Sequence, residues 1–364
     1  MGELPTDLPY RQGPSPARPA PTASGRPDRG VAPGRPDAGI APGRPRAGFA
    51  RHYAALDLGT NNCRLLIARP QGDGFAVVDA FSRIVRLGEG LAATGKLSDA
   101  AIERTIAALR VCSDKLRRRN VALARSVATE ACRRASNGAD FIARAYDETG
   151  IYLDVITAEQ EARLAVLGCH ALLEPGEGPA LVFDIGGGST ELVLIDTSTT
   201  VPSVVDWHSA PWGVVSLTES VAHGEGADGR ATSYARMRAL VAESFAPFAA
   251  RLPKDGGSRR MLGTSGTVTT LASVHLGLDR YDRSAVDGLI APADAMRAIS
   301  SGLAHMSFDE RAALPCIGRE RADLVVAGCA ILEAILDIWP ADRLGIADRG
   351  IREGILRRLM ASRA

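Results

Sequence analysis

The sequence predicts an α/β protein built as two duplicated lobes facing each other across a central cleft. Strand-like runs feed helix-like stretches repeatedly between residues 53 and 338, the pattern of α/β units with mixed sheets. One phrase occurs twice: Asp57-Leu-Gly-Thr-Asn-Asn-Cys-Arg-Leu-Leu-Ile, then, 127 residues later and without a gap, Asp184-Ile-Gly-Gly-Gly-Ser-Thr-Glu-Leu-Val-Leu. Both phrases read as strand, acid, glycine, small polar turn and strand again. A duplicated strand–turn–strand unit implies two related lobes.

Residues 1–50 stand outside this programme. They hold 11 of the 21 prolines and the nine-residue repeat GRPDRGVAP, GRPDAGIAP, GRPRAGFA, without apolar periodicity. Such a segment cannot bury enough surface to fold and is expected to be a disordered tail. It carries seven arginines against four acids, which leaves the remainder near −2. Deleting residues 1–50 is expected to shift the thermal midpoint by no more than about 2 °C and to leave activity unchanged. A melting curve and a rate assay on the truncated chain check this.

The first lobe is expected over 51–165. Strands at 53–58, 64–69 and 75–81 open it. A helix over 99–118 follows, with Ser98 as N-cap and Ile102, Ile106, Leu109 and Leu116 along one face. Strand 121–128, a short helix near 137–148, strand 151–156 and helix 158–173 complete the pass. The second lobe, 166–348, repeats the opening with strands at 180–185, 191–196 and 203–208. A long helix of about 230–251, strand 259–263, helix 266–276 and further helices to 338 follow. A last helix of about 349–361 is expected to return and pack on the first lobe.

Composition narrows the class. The chain has 364 residues, 46% hydrophobic and 23% charged, with formal net charge +1, enough for a sizeable core. No apolar run approaches the roughly 18 residues of a membrane span, and no secretory layout opens the chain. The six cysteines form no C-x-x-C pair and the six histidines no metal-ligating cluster. That usage fits reduced core cysteines in a cytoplasmic protein without structural zinc. Of the 43 basic residues only Lys96, Lys115 and Lys254 are lysine, so a lone arginine says little about phosphate binding. Neither a membrane nor a specific nucleic acid is expected as partner.

The turns carry the chemistry. Three consecutive glycines, Gly186, Gly187 and Gly188, cost backbone entropy, so a tight hairpin, a positive φ or a close approach must require them. Glycines, Gly59 among them, let amides reach phosphate oxygens, and Thr60, Asn61, Asn62, Ser189 and Thr190 add short polar donors beside them. Two such turns on opposite walls would present amides and hydroxyls to one anion. Asp57 and Asp184, at strand ends, are placed to hold Mg²⁺ directly or through water; a turn-capping role would also put an aspartate there. No G-x-x-x-x-G-K-[ST] loop occurs, which argues against a P-loop nucleotidase. Thr157 and Gln160 in "TAEQEARL" fit a capping box, which leaves Glu161 free in the first helical turn, where the helix dipole alone also favours an acid.

The duplicated Asp-Gly arrangement resembles the sugar kinase–heat-shock ATPase–actin superfamily, whose lobes are actin-like and ribonuclease H-like. In detail the chain is similar to the exopolyphosphatase / guanosine pentaphosphate phosphohydrolase family. The resemblance covers about 53–358 and rests on eight phrases in order: "AALDLGTNNCRLLIA", "RLGEGLAATGKLS", "VATEACRRASNGADFI", "VITAEQEARLAVLG", "FDIGGGSTELVLI", "GTSGTVTTLA", "RADLVVAG" and "ADRGIREGIL". It implies that Glu161 is the catalytic carboxylate, position 160 being Gln where the family phrase has Glu. It implies Arg133 beside the substrate's terminal phosphate, with Arg134 the alternative register. Glu191 becomes a metal or water ligand, against the alternative of a strand residue paired with an arginine. Ser265, Gly266 and Thr267, with Gly263, would line the cleft for phosphate. Asp348, Arg349 and Glu353 suit ion pairs between lobes.

The implied activity is Mg²⁺-dependent release of orthophosphate from the end of inorganic polyphosphate, with Mn²⁺ as a substitute. Guanosine pentaphosphate is the alternative substrate. A superfamily small-molecule kinase would need an acceptor-site base, and a nucleotide-sensing scaffold would not need Glu161. A homodimer is the implied assembly. The phrases stop short of the HD-type helical region of longer members, so short or medium chains and a distributive pattern are expected. Arg64, Arg83, Arg86 and Arg133 are the candidates for a cationic path.

Overall fold

A computed structural model describes residues 51–362 apart from 200, 223, 225 and 255–258; the repeat segment 1–50 lies outside the described residues. The first half opens with β1 (His52–Leu58), β2 (Asn62–Gln71) and β3 (Gly74–Ile84). After α1 (Leu91–Thr94) and α2 (Asp99–Arg118) come β4 (Val121–Ala128), α3 (Glu130–Arg134), α4 (Gly138–Thr149), β5 (Asp154–Val155) and α5 (Ala158–Cys169). The second half runs β6 (Ala180–Ile185), β7 (Thr190–Asp196), β8 (Ser203–Ala210), α6 (Val214–Ser220), α7 (Gly226–Ala249) and β9 (Arg260–Thr264). It continues with α8 (Gly266–His275), α9 (Arg283–Val286), β10 (Ile290–Pro292), α10 (Ala293–His305), α11 (Phe308–Ala313), α12 (Val325–Ile338), β11 (Arg343–Ala347) and α13 (Ile351–Ala361).

The duplication visible in sequence is a duplication of topology. The first sheet has order β3-β2-β1-β4-β5 and the second β10-β11-β9-β6-β7-β8. In each, three antiparallel strands lead and the first then pairs in parallel with a strand reached through a helix: β1 with β4, β6 with β9. The register is also shared, Asp57 facing Arg64 in one hairpin and Asp184 facing Glu191 in the other.

Strand alternation sorts the core into layers. Ala54, Leu56 and Leu58 of β1 pack outward against α2 and α4, while Tyr53 and Ala55 pack inward on α5 and α13. Leu181, Phe183 and Ile185 of β6 pack outward on α7, α8, α10 and α12, whereas Ala180 and Val182 pack inward on α5. Helix α5 is therefore clamped between the two sheets, with α13 beside it. By the same period of two, Asp57, Arg64, Asp184 and Glu191 all point into the layer between the sheets.

Several expected elements shift. Strand 151–156 pairs only at Asp154 and Val155, because β4 offers just Val127 and Ala128 to it; Ile151 and Leu153 are buried without a ladder. The helix expected to reach 173 ends at Cys169 and tightens into a 3₁₀ turn over His170–Leu172. The long helix starts at Gly226 and ends at Ala249. Strands β10 and β11, and the short helices α3 and α6, are additions; each is too short for periodicity to register.

Candidate active site

Both hairpin turns close in the same way. The Gly59 amide donates to the Asn62 carbonyl at 2.9 Å, and the Gly186 amide to the Ser189 carbonyl at 3.0 Å. Their other carbonyls are tied off on the outside. Asn61 accepts from Val85 and Arg86, and Thr60 from Gly88, while Gly186 and Gly187 accept from Val214 and Val215 at the start of α6. This leaves the amides of Thr60, Asn61, Gly187 and Gly188 with no acceptor among the described residues. An anion is what such amides bind.

Close approach explains the three glycines. None of them has a positive φ. A Cβ on Gly187 would stand 3.0 Å from the Asn61 amide nitrogen, and one on Gly188 would stand 2.6 Å from Thr60 Oγ1. The second turn thus rests directly against the first, and Gly213 closes on it from behind, its Cβ position 2.4 Å from the Gly187 carbonyl carbon. The sequence reading offered hairpin, positive φ or close approach; the turn is both a hairpin and a close approach.

A polar cavity of about 80 Å³ opens beside the paired turns. The structure brings Asp57, Gly59, Thr60, Asn61, Asn62, Glu161, Asp184, Gly186, Gly187, Gly188, Ser189 and Ser265 to its wall. Thr190, Gly266, Thr267 and Glu191 are not on that wall. Thr190 Oγ1 donates to the Trp212 carbonyl at 2.7 Å, and Thr267 is buried against Gly328. Glu191 is buried behind the turn and accepts from Ser209 Oγ at 2.9 Å. Ser265 sits at φ 83 and ψ −176, a positive-φ extended conformation almost confined to glycine that costs another residue about 1–3 kcal/mol, directly at the cavity.

Glu161 reaches the cavity because α5 begins there. The capping box forms as the sequence predicts, Gln160 N–H donating to Thr157 Oγ1 at 3.2 Å and Thr157 N–H to Gln160 Oε1 at 3.0 Å. Glu161, 7% exposed, accepts from Arg133 at 2.8 Å. Arg133 is otherwise committed to Glu130 Oε2 at 2.9 and 3.2 Å and to the Ile156 carbonyl at 2.8 Å, and it does not line the cavity. Its geometry is that of a brace for the carboxylate. Burial, reinforced by Glu191, holds the Glu161 carboxyl well above the usual carboxylate range against the pull of Arg133.

Sequence reasoning passed over Glu130, Thr129 and Thr264, and placed no role on Arg352; all four line the cavity. The phrase "VATEACRR" contained Glu130, but only the contact with Arg133 singles it out. Of the proposed cationic path, Arg64 is on the wall, whereas Arg83 stacks on Phe81 and Arg86 pairs with Asp323 at 3.4 Å. Asp348 and Glu353 both pair with Arg283, at 3.1 and 3.3 Å, and Arg349 pairs with Asp287 at 2.7 Å.

The acidic cluster makes stability depend on pH. Burial and the neighbouring Asp57 push Asp184 up to about 6, and burial with Asp184 pushes Glu191 up to about 7. The folded protein therefore holds protons between pH ~4 and ~7 that the unfolded chain releases, so stability falls as pH rises through that window. In chelator, the thermal midpoint is expected to be higher at pH 5 than at pH 8. A midpoint that rises across this interval would contradict the electrostatics.

Comparison with known proteins gives consistent matches. A profile of the Ppx/GppA phosphatase family matches residues 66–363. Exopolyphosphatase 2 of Mycobacterium tuberculosis is 34% identical over 316 residues, covering 83% of this chain and 96% of that protein. A guanosine-5'-triphosphate,3'-diphosphate pyrophosphatase of Aeromonas salmonicida is 30% identical over 315 residues, 85% of this chain and 60% of that one. The crystal structure of the Aquifex aeolicus Ppx/GppA family member superposes with TM-score 0.71 at 30% identity, covering 86% of this chain and 99% of that one.

Proposed function

The chain belongs to the Ppx/GppA phosphatase family, enzymes that hydrolyse phosphoanhydride bonds, and from that premise we propose that it removes terminal orthophosphate from inorganic polyphosphate. The observation that carries the choice of substrate is the cavity wall. Among the described residues its lining is polar or glycine, with Ile351 the one apolar side chain and no aromatic ring. Such a wall recognises phosphate and offers a nucleobase nothing to stack on. Guanosine pentaphosphate is the second reading, supported by the relative named for that type of nucleotide.

In the proposed reaction Glu161 orients a water and takes its proton, and its raised proton affinity makes it the stronger base. Arg133, held on its far side by Glu130, fixes the carboxylate and is a positioning residue. The amides of Thr60, Asn61, Gly187 and Gly188 take up charge on the equatorial phosphoryl oxygens without reorganising.

The acids fit a hard divalent cation. Asp57 Oδ1 and Asn61 Oδ1 are buried without a partner among the described residues, and Asp57 and Asp184 repel one another. Mg²⁺ is held by few carboxylates and keeps several waters, so two aspartates with phosphate oxygens would complete its shell. Asp57 and Asp184 would hold it, with Glu191 behind them. Bound there, the cation would neutralise charge on the phosphoryl oxygens.

Orthophosphate release is to be measured side by side from long polyphosphate, tripolyphosphate, guanosine pentaphosphate and ATP, with Mg²⁺ and with EDTA. Fastest release from polyphosphate is expected, with activity lost in EDTA and restored by Mg²⁺ or Mn²⁺. Asp184→Ala should raise the metal requirement more than Ser189→Ala. Preference for the guanosine nucleotide would select the second reading, and full activity in chelator would remove the metal.

A further inference from the structure

We propose that the base of the first sheet, at the end away from the cavity, binds the distal stretch of a long polyphosphate chain and tethers it during hydrolysis. The proposal rests on the polyphosphate reading above and adds a second contact region to it. Strand β1 runs from His52 at this base to Leu58 at the cavity, about 20 Å at ~3.3 Å per residue. Strand β2 runs back beside it, and the pairing of Tyr53 with Ala68 sets Arg69 next to His52. Helix α2 ends there too: His52 Nδ1 donates to the Arg119 carbonyl at 2.6 Å. On the other face of the sheet the last turn of α13 brings Arg358, with Leu359 and Met360 packed into the cluster of Tyr53 and Phe75. Separate segments thus set cations along one edge: Arg51 and Arg69 at strand ends, Arg117, Arg118 and Arg119 on α2, and Arg358 on α13.

The charge balance of this edge is uneven. Asp79 is shared by Lys115 at 2.7 Å and Arg119 at 2.9 Å, and Asp114 by Arg117 and, at 4.0 Å, Arg118. Two carboxylates therefore serve four cations. Arg51, Arg69 and Arg358 are exposed and have no ion pair among the described residues. The Arg117 and Arg118 side chains are 74% and 78% exposed, so both guanidiniums reach solvent. The helix dipole favours cations in the last turn of α2 and accounts for part of the cluster. It does not account for Arg51 and Arg69, which lie at strand ends. The chain beyond residue 50 sums to about −2, so the excess is local. A linear polyanion gains from such an edge by releasing counterions from each phosphate placed there. Tyr53 and Phe75 are committed to the core, so these rings are not offered to a nucleobase. A chain held at both cavity and base re-engages at high effective concentration after each cleavage, which lowers KM for long chains alone.

The test measures binding of long polyphosphate and of tripolyphosphate to the full-length chain, for the parent and for the triple variant Arg69→Ser, Arg117→Ser, Arg118→Ser. The variant is expected to bind long polyphosphate about tenfold more weakly at low salt, with the slope of log K against log salt reduced by about 2. Tripolyphosphate, too short to reach from cavity to base, should bind and turn over within about twofold of the parent. Lysine at the same three positions should keep the parent affinity, which separates charge from misfolding. An unchanged salt slope with long polyphosphate, or equal weakening of both probes, overturns the tether. So does a larger loss for a single-stranded RNA or for anionic phospholipid vesicles than for polyphosphate. Failure of the hydrolase reading shows separately, as no orthophosphate release from tripolyphosphate by the parent, and takes the tether with it.

Discussion

Glu161→Gln is expected to lower the rate of orthophosphate release by about 10²–10⁴, the usual contribution of a positioned general base, while polyphosphate still binds within a few-fold. The amide keeps the size of the side chain and one acceptor for Arg133, so the 2.8 Å contact can persist. What is lost is the ability to accept a proton from water. Single-turnover rates with bound polyphosphate, beside a direct binding measurement, separate the two. Retention of more than about a third of the parent rate would remove Glu161 as base. The contrast with Arg133→Gln sharpens the assignment. Removing the brace should free the carboxylate to move and shift the acidic limb of the pH profile, which removal of a substrate clamp would not do.

The largest structural effect is expected from Gly354→Ala. A Cβ at this position of α13 would stand 2.1 Å from the Leu164 carbonyl oxygen and 2.9 Å from its carbon. The opposing atoms are backbone of α5, so no side chain can swing away. Gly168 of α5 makes the reciprocal contact, its Cβ position 1.9 Å from the Gly350 carbonyl oxygen. The two helices therefore touch backbone to backbone at both points and can accept a methyl group only by separating. Overpacking of this kind costs about 1–3 kcal/mol and more where backbone must shift. The thermal midpoint should fall by several degrees. Activity should fall with it, since the first turn of α5 carries Glu161 and the first turn of α13 carries Arg352. Gly302→Ala is the control: it sits inside α10 with nothing within 4 Å of the added methyl, and should be neutral or stabilising by up to about 1 kcal/mol. Equal melting of the Gly354 and Gly302 variants would mean that the helices are not held as described.

Local chemistry and repetition were legible in the sequence alone. The spacing of 127 residues between Asp57 and Asp184 determined that two strand–turn–strand units share one register, and the structure pairs them identically, Asp57 with residue 64 and Asp184 with residue 191. The helix over 99–118 and its Ser98 cap, and the Thr157–Gln160 box that leaves Glu161 free of capping, depend on neighbours within four residues, and such signals survive folding intact.

Tertiary structure decided what lay beyond that range. Whether the glycines of 186–188 answered to a positive φ or to a close approach depended on Thr60 and Asn61, more than a hundred residues away. Whether Arg133 faces the cavity or braces Glu161 depended on the Ile156 carbonyl and the Glu161 carboxylate, 23 and 28 residues along the chain, meeting its guanidinium. Arg352 lay within the phrase "ADRGIREGIL" with no role of its own, because one arginine among so many is unremarkable until a helix from the end of the chain brings it to the same cavity wall as Arg64. Backbone hydrogen bonds and caps are written by adjacent residues, whereas the charge balance of a cavity is written by whichever distant residues packing forces together.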